Sequence, residues 1–479
     1  MQANRVSTNS FLVLAAEVID LIMRFALVIF AARLLGDESF GKISFAIAFT
    51  SLFLILSDLG LNHLLIREIA RGPARVKELI GSGLVIKLIL AAATFILIFM
   101  AAQFTNKPTN VLHAVYIMGA ALIVGSFGDF FTTVFQGFQR MKYEAVASFT
   151  MSTSNTLIGV VILYLGGGVV ALSWVYLISR LLRLAYCIAS VGFKFTPIQL
   201  VYDKTLIKYF LKEGTGFAVT RFFSMIYTYV DTTLLSLMVG DAAVGWYNAA
   251  YRLIFAMMVF PMAVTRAVYP ALASYYTSNL EQFRNLFTKT FKLLFVAGTL
   301  LATFLSILSQ KIIVTLFGQE YINAALPLSI LAWSTAIYSI GTVMTHTTRA
   351  CGRQNYTAKV VGASAVINLV ANLVLIPKYS YVGAAFATMM SEFITFTFHL
   401  GYVNRKIVNV AFLKLLPKII VINLGTAATL RLLIDFNLFI SCGLALPISV
   451  GLVLVTRIFS KEELAALQDT IKSVKAFRR

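Results

Sequence analysis

The sequence predicts an all-α polytopic membrane protein of about 14 transmembrane helices, in two pseudo-symmetric six-helix lobes with two further C-terminal helices. Three observations lead there. The first is composition: of 479 residues 59% are hydrophobic and only 13% charged, and the mean hydropathy is +0.85. No water-soluble domain has that balance. The second is a series of apolar segments that match the bilayer, which takes about 20 residues to cross as a helix. The third is a set of short motifs from the first half that return, in order, in the second.

The spans fall near 10–32, 43–65, 79–103, 111–136, 145–165, 169–191, 213–238, 243–272, 293–309, 323–348, 360–376, 380–402, 415–432 and 437–456. Connections are short and no soluble domain interrupts them. No small-residue cleavage site follows the first span, which is expected to stay as an anchor. That span, Phe11 to Ala32, carries Glu17, Asp20 and Arg24 at spacings of three and four, so all three share one helical face. Each charge costs roughly 2.5–3.5 kcal/mol at membrane depth, so the stripe must face a wet interior and not lipid. Several later spans exceed the minimum, which predicts tilt or bending. Pro261, inside the eighth, is an expected kink.

Basic residues orient the spans. With the N-terminus placed in the cytoplasm, 27 of the 40 Lys and Arg fall on that side and 6 on the other, alternating loop by loop. The net charge of +20 follows from this bias and does not call for nucleic acid. Cys187, Cys351 and Cys442 are too scattered for a disulfide framework or a metal cluster.

The repeats support two halves. Gly36-Asp37-x-x-x-Gly41 returns as Gly240-Asp241-x-x-x-Gly245, and Arg140-x-x-Tyr143 as Arg353-x-x-Tyr356. Asn155 returns as Asn368, and Val169-Val170-Ala171 meets Val382-Gly383-Ala384. The expected domains are an N-lobe at 1–192, a linker at 193–212, a C-lobe at 213–402, helices 13 and 14 at 403–457 and a cytoplasmic amphipathic tail at 458–479. In the tail, Ser460 and Glu463 form a capping box, and Leu464, Leu467, Ile471 and Val474 form an apolar stripe flanked by bases.

Chemistry is sought among the embedded charges, seven basic and six acidic. Lys87 and Arg183 lie toward span ends, where long side chains snorkel. Asp58 and Asp129 are placed to cap or pair within their own half. Arg24, Arg252 and Arg266 stand out, because guanidinium suits a bidentate grip on phosphate. Arg252 and Arg266 are fourteen residues apart, nearly four turns, on one face. With Arg180 and Arg221 they outline a cationic cavity for an anionic substrate; the alternative is structural pairing, such as Asp20 with Arg24. Glu17, Asp20 and Asp58 are candidate coupling or gating acids. No P-loop, zinc-protease motif or paired catalytic carboxylates appear, which argues against an enzyme.

The segments Arg5 to Phe11, Ala31 to Gly41 (AARLLGDESFG), Ser57 to Arg71 (SDLGLNHLLIREIAR) and Gly240 to Leu253 (GDAAVGWYNAAYRL) resemble polysaccharide-transporter flippases of the Wzx type. These belong to the multidrug/oligosaccharidyl-lipid/polysaccharide exporter superfamily. The resemblance spans the chain and implies a bacterial inner-membrane protein with both termini cytoplasmic. It implies alternating access that turns over undecaprenyl-diphosphate-linked oligosaccharide units for O-antigen or exopolysaccharide. A polysaccharide polymerase and a chain-length regulator are the implied partners, alongside membrane lipid. It further implies lipid-diphosphate binding by Arg24 and Arg252, and a cation site at Asp231, Asn368, Asn372 and Thr388. Na+ or H+ is then the coupling ion, with no other cofactor. Asn372 stands where an acid is expected, which removes one negative charge. A drug/cation antiporter of the same superfamily and an envelope glycosyltransferase or ligase are the rival readings.

Overall fold

The structure is a computed structural model that describes residues 2–72, 75–409, 412–460 and 463, with side chains from Ile19 onward except at 216, 217 and 220. The Glu17 side chain and the tail stripe beyond Glu463 lie outside the described residues.

Lipid offers the backbone no hydrogen-bond partners, so apolar segments must satisfy their own amides, and they do so as helices. In order these are α1 (Gln2–Leu52), α2 (Leu61–Arg71), α3 (Val76–Gln103), α4 (Thr109–Gly137), α5 (Met141–Tyr164), α6 (Val169–Lys194) and α7 (Lys204–Met238). There follow α8 (Asp241–Ser278), α9 (Leu280–Ile307), α10 (Ser309–Phe317), α11 (Ala325–Ala350), α12 (Gln354–Lys406), α13 (Phe412–Leu432) and α14 (Leu438–Val455). Side-chain caps start several of them: Asp203 accepts from the amides of Thr205 and Leu206, and Asn279 from those of Glu281 and Gln282.

Among the described residues, ten helices are long and apolar enough to cross a membrane, or eleven if the bent pair Ile19–Leu52 and Leu54–Arg71 is one span. That measure does not reproduce the fourteen spans drawn from sequence. The shortfall has local causes. Helix α1 runs on past an internal break at Gly36 (φ 76), and α12 past one at Ser380 (φ 54). Helix α7 carries Arg221, Asp231 and several Thr and Tyr in its C-terminal half and is not among the ten. Helix α8 continues through Pro261 and Pro270.

The chain divides into two compact units, Met1–Asn248 with Leu369–Tyr381, and Ala249–Asn368 with Val382–Arg479. The first has a core of Leu61, Leu64 and Leu65 from α2, Ile80 and Leu84 from α3, Phe130, Phe131 and Phe135 from α4, and Cys187 and Val191 from α6. The second is centred on α9, where Phe283, Phe287, Phe291 and Phe295 recur every fourth residue and are all buried. Away from these cores the helices show apolar side chains outward, as Ile89, Ile96 and Met100 do on α3.

The repeated motifs have repeated geometry. Gly36 and Gly240 both take positive φ, which a side chain would strain, and the Asp after each opens a helical segment. A Cβ on Gly41 would collide with the backbone carbonyl of Asp241, and one on Gly245 with that of Asp37. The motif therefore encodes a turn glycine plus a close-approach glycine, and the two copies clasp each other within the first unit. Trp246 Nε1 donates to Asp37 Oδ2 at 2.8 Å, and Lys107, from the α3–α4 connection, donates to Asp241 Oδ1 at 2.7 Å. Three connections that the basic-residue count puts on one side thus meet.

The Arg-x-x-Tyr motif repeats as well. Arg140 and Arg353 flank α5 and α12 after a residue of positive φ, Gln139 (55) and Gly352 (73). The amide of Arg140 donates to the Phe135 carbonyl, and that of Arg353 to the Thr348 carbonyl, five residues back in each case.

Candidate functional site

In the first unit, Arg24 on α1 is 57% exposed and donates through Nε to Asp20, at 2.9 Å to Oδ2. Helix α5 supports this pair. Ser152 Oγ donates to Asp20 Oδ1, Thr156 Oγ1 donates to the Met23 carbonyl at 2.9 Å, and a Cβ on Gly159 would strike Leu27. The guanidinium has no second partner among the described residues, so Asp20 orients Arg24 and leaves its terminal nitrogens available. The Asp20–Arg24 pairing weighed as the alternative thus forms, with the arginine side chain still exposed.

Helix α6 lays two arginines across glycines of α4. A Cβ on Gly125 would lie 3.2 Å from Cδ of Arg180, and one on Gly128 would lie 3.6 Å from Nη1 of Arg183. Arg183 Nη1 donates to Asp129 Oδ1 at 2.7 Å. Arg180 has no ion-pair partner among the described residues, and its buried Nη1 no hydrogen bond. Arg221 on α7 likewise has no ion-pair partner among the described residues, and its buried Nε makes no hydrogen bond there.

The snorkelling expected of Lys87 and Arg183 is corrected. Lys87 is 0% exposed and lies 3.5 Å from Asp58, and Arg183 is buried against Asp129. An acid from a neighbouring element reaches each of them, so neither has to climb to the interface. The pairings of Asp58 and Asp129 keep to one unit, as the sequence reading placed them.

Of the four cation-site candidates, Asp231 and Asn372 meet: Asn372 Nδ2 donates to Asp231 Oδ1 at 2.7 Å. Sequence reading missed a third member, Tyr247, whose hydroxyl donates to Asp231 Oδ2 at 2.8 Å. The signal was available, since Tyr247 sits in the Gly240 motif. Asn368 and Thr388 belong to the second unit, where both are buried. The oxygens fit an alkali cation in kind, but one carboxylate supplies the only charge and both its oxygens already accept hydrogen bonds.

In the second unit, Arg252 is half-buried with an unpartnered Nε, and Arg266 is exposed. Neither has an ion-pair partner among the described residues. Four of the five arginines singled out from sequence thus differ from the two embedded bases that were not, and Arg24 shares its pairing with Asp20. Lys87 and Arg183 are each neutralised by a carboxylate, whereas Arg180, Arg221, Arg252 and Arg266 are not.

A family model described as polysaccharide biosynthesis protein matches residues 6–276, more than half of the chain. The chain belongs to that family. A second model, MatE, matches residues 217–374. The two matches together indicate a transporter and not an enzyme. A probable low-salt glycan biosynthesis flippase, Agl15 of Haloferax volcanii, is 23% identical over 403 residues, 83% of this chain and 83% of that one. A putative O-antigen transporter of Shigella dysenteriae is 21% identical over 407 residues, 83% of this chain and 99% of that one. The structure of the lipid II flippase MurJ in an inward closed conformation superposes with a TM-score of 0.78 at 15% identity, covering 94% of this chain and 99% of that one. At that identity the likeness is one of fold: an all-α, multi-pass membrane transporter.

Proposed function

We propose that the protein flips undecaprenyl-diphosphate-linked oligosaccharide repeat units, for O-antigen or exopolysaccharide, across the bacterial inner membrane by alternating access. One observation carries the reading: embedded arginines in both units, Arg180 and Arg221 in the first and Arg252 and Arg266 in the second, have no ion-pair partner among the described residues. Each would cost roughly 2.5–3.5 kcal/mol in the membrane, a cost that a protein meets only where an anion or water compensates it. A diphosphate supplies the anion and has the shape that guanidinium grips with two bonds. Arg24, Arg180 and Arg221 in the first unit and Arg252 and Arg266 in the second are the ligands of this proposal. The antiporter reading wants acids free for a cation, yet Asp58 and Asp129 are spent on Lys87 and Arg183. Na+ or H+ is the proposed coupling ion, with Asp231, Asn372 and Tyr247 as cation ligands if Asn372 turns its carbonyl oxygen inward; Asn368 and Thr388 complete the proposed set. Cytoplasmic termini and the polymerase and chain-length partners belong to the same proposal.

Arg24→Gln and Arg252→Gln test it. Loss of a charge-assisted contact costs about 1.5–3 kcal/mol, about ten- to hundredfold in affinity. Both variants should insert normally yet fail to restore polysaccharide in a flippase-null strain, with lipid-linked intermediates accumulating by mass spectrometry. Arg→Lys should not rescue, because the ammonium lacks the fork. Normal polysaccharide output from both would reject the assignment.

A further inference from the structure

Three large apolar side chains of the first unit stand in the open where the chain leaves α6. Phe193, next to the last residue of that helix, is 89% exposed. Leu200 and Tyr202, in the non-helical connection to α7, are 64% and 74% exposed. Apolar groups on a spanning helix face lipid tails, but open backbone such as this connection has no place against the hydrocarbon core. The connection is nevertheless pinned from beneath. Phe195 packs with Phe135, Phe138 and Tyr143, and Thr196 is buried. A Cβ on Gly81 of α3 would come within 2.7 Å of the Gln199 carbonyl oxygen and of Val201 Cγ2.

Lysines alternate with these apolar groups. Lys194, Lys204, Lys208 and Lys212 are all exposed, and none has an ion-pair partner among the described residues. Lys204, Lys208 and Lys212 recur every fourth residue, so they share one face of α7, with Leu211 beside them. The other face packs into the core of the unit through Leu206, Ile207 and Phe210. Two acids lie in the same stretch, and neither neutralises that face. Asp203 accepts from the amides of Thr205 and Leu206, and Glu213 falls on the side of the helix opposite Lys204. At the end of α6, Lys194 Nζ lies 5.2 Å from the centroid of the Tyr143 ring, and Lys142 Nζ lies 5.1 Å from the same centroid. An ammonium over a ring keeps outward N–H groups for an anion. Helix α7 has 35 residues and so rises about 50 Å, against about 30 Å of hydrocarbon, which brings its first turns to headgroup depth.

We propose that this surface binds anionic phospholipid. Phe193, Leu200 and Tyr202 enter the boundary between headgroups and acyl chains, and the lysines meet the lipid phosphates beside them. Interleaved apolar groups and lysines suit this partner, because apolar burial and attraction to anionic headgroups add. The partner is lipid and not an acidic protein from solution, since the surface begins at the end of a spanning helix, where headgroups are the adjacent phase. Nothing here draws on the embedded arginines, so the site stands apart from the flippase reading.

The experiment titrates full-length protein in a neutral detergent with phosphatidylglycerol, or with phosphatidylcholine of the same chains, and counts bound lipid by native mass spectrometry. Phosphatidylglycerol should bind more tightly, and salt should weaken it. Lys194→Gln/Lys204→Gln/Lys208→Gln/Lys212→Gln should lose about tenfold or more in that affinity. Phe193→Ser/Leu200→Ser/Tyr202→Ser should lose the part that salt leaves. Lys359→Gln/Arg405→Gln/Lys406→Gln/Lys414→Gln removes the same charge from exposed positions elsewhere and should bind as wild type does. None of these bases holds an ion pair among the described residues, so both four-fold variants should unfold at the wild-type temperature. An equal loss in the two four-fold variants would reduce the effect to net charge and overturn the proposal. Wild-type binding by both the lysine and the apolar variants would overturn it as well. So would displacement of the lipid by excess glycerol 3-phosphate, which would mark a plain anion site.

Discussion

Lys107 shows what one side chain does in this protein. It is 10% exposed, joins Asp241 and the Ser236 carbonyl, and lies 5.0 Å above the Phe45 ring. Removing one member of such a pair strands the other, at about 3–5 kcal/mol. Lys107→Met should therefore destabilise by about that much, and Lys107→Met/Asp241→Asn by much less, in a double-mutant cycle of thermal unfolding. Glu463 offers a pH test outside the membrane. Burial works to raise its pKa, but hydrogen bonds from the Ser460 amide and from Lys292 outweigh burial and leave it lowered. A depressed carboxylate stabilises above its ordinary range, and that stabilisation is lost as pH falls through the lowered value. Proteolysis near Ser460 should rise on acidification, and Lys292→Met should move that rise to higher pH. The capping box was legible in sequence, since Ser460 Oγ accepts from the Glu463 amide as the spacing requires. The Lys292 contact was not, because it joins residues 171 apart.

Between residue and whole chain, breaks in helices decide the shape. Ser380 holds φ 54 inside α12, a conformation glycine takes freely and other residues at a cost of order 1–3 kcal/mol. Ser380→Gly should raise the melting temperature, and a lowered one would show that the serine makes a compensating bond. Gly41→Val should lower it and should expose Trp246 to quenchers, because no Cβ fits against the Asp241 carbonyl. Sequence periodicity revealed nearly every helix but not where a helix merely bends. Gly36 leaves α1 and its sequel continuous enough to be one helix in hydrogen bonding, while hydropathy dips there and draws a boundary. The meaning of Gly41 and Gly245 was equally hidden, since a spacing of five says nothing about which backbone comes close.

At the scale of the molecule, embedded charge without an ion-pair partner is a standing strain. Arg180, Arg221, Arg252 and Arg266 hold positive charge that no described carboxylate neutralises, and such sites trade stability for function. Each arginine changed to glutamine should therefore leave stability unchanged or raised in detergent while transport falls. Lys87→Gln, by contrast, should lose stability, because it strands Asp58 in the core. A uniform loss of stability across all five variants would make the arginines structural. Which basic residues were embedded could be read from the sequence; which of them were neutralised could not, because Asp58 and Lys87 are 29 residues apart and Asp129 and Arg183 are 54.

The paired Gly-Asp turns bear on how this chain can be recombined with its relatives. Each turn is shaped against the backbone of the other, so a hybrid that takes 36–41 from one parent and 240–245 from another joins surfaces that never matured together. Crossovers that move both turns, along with the α3–α4 connection that carries Lys107, should yield folded hybrids far more often than crossovers that separate them.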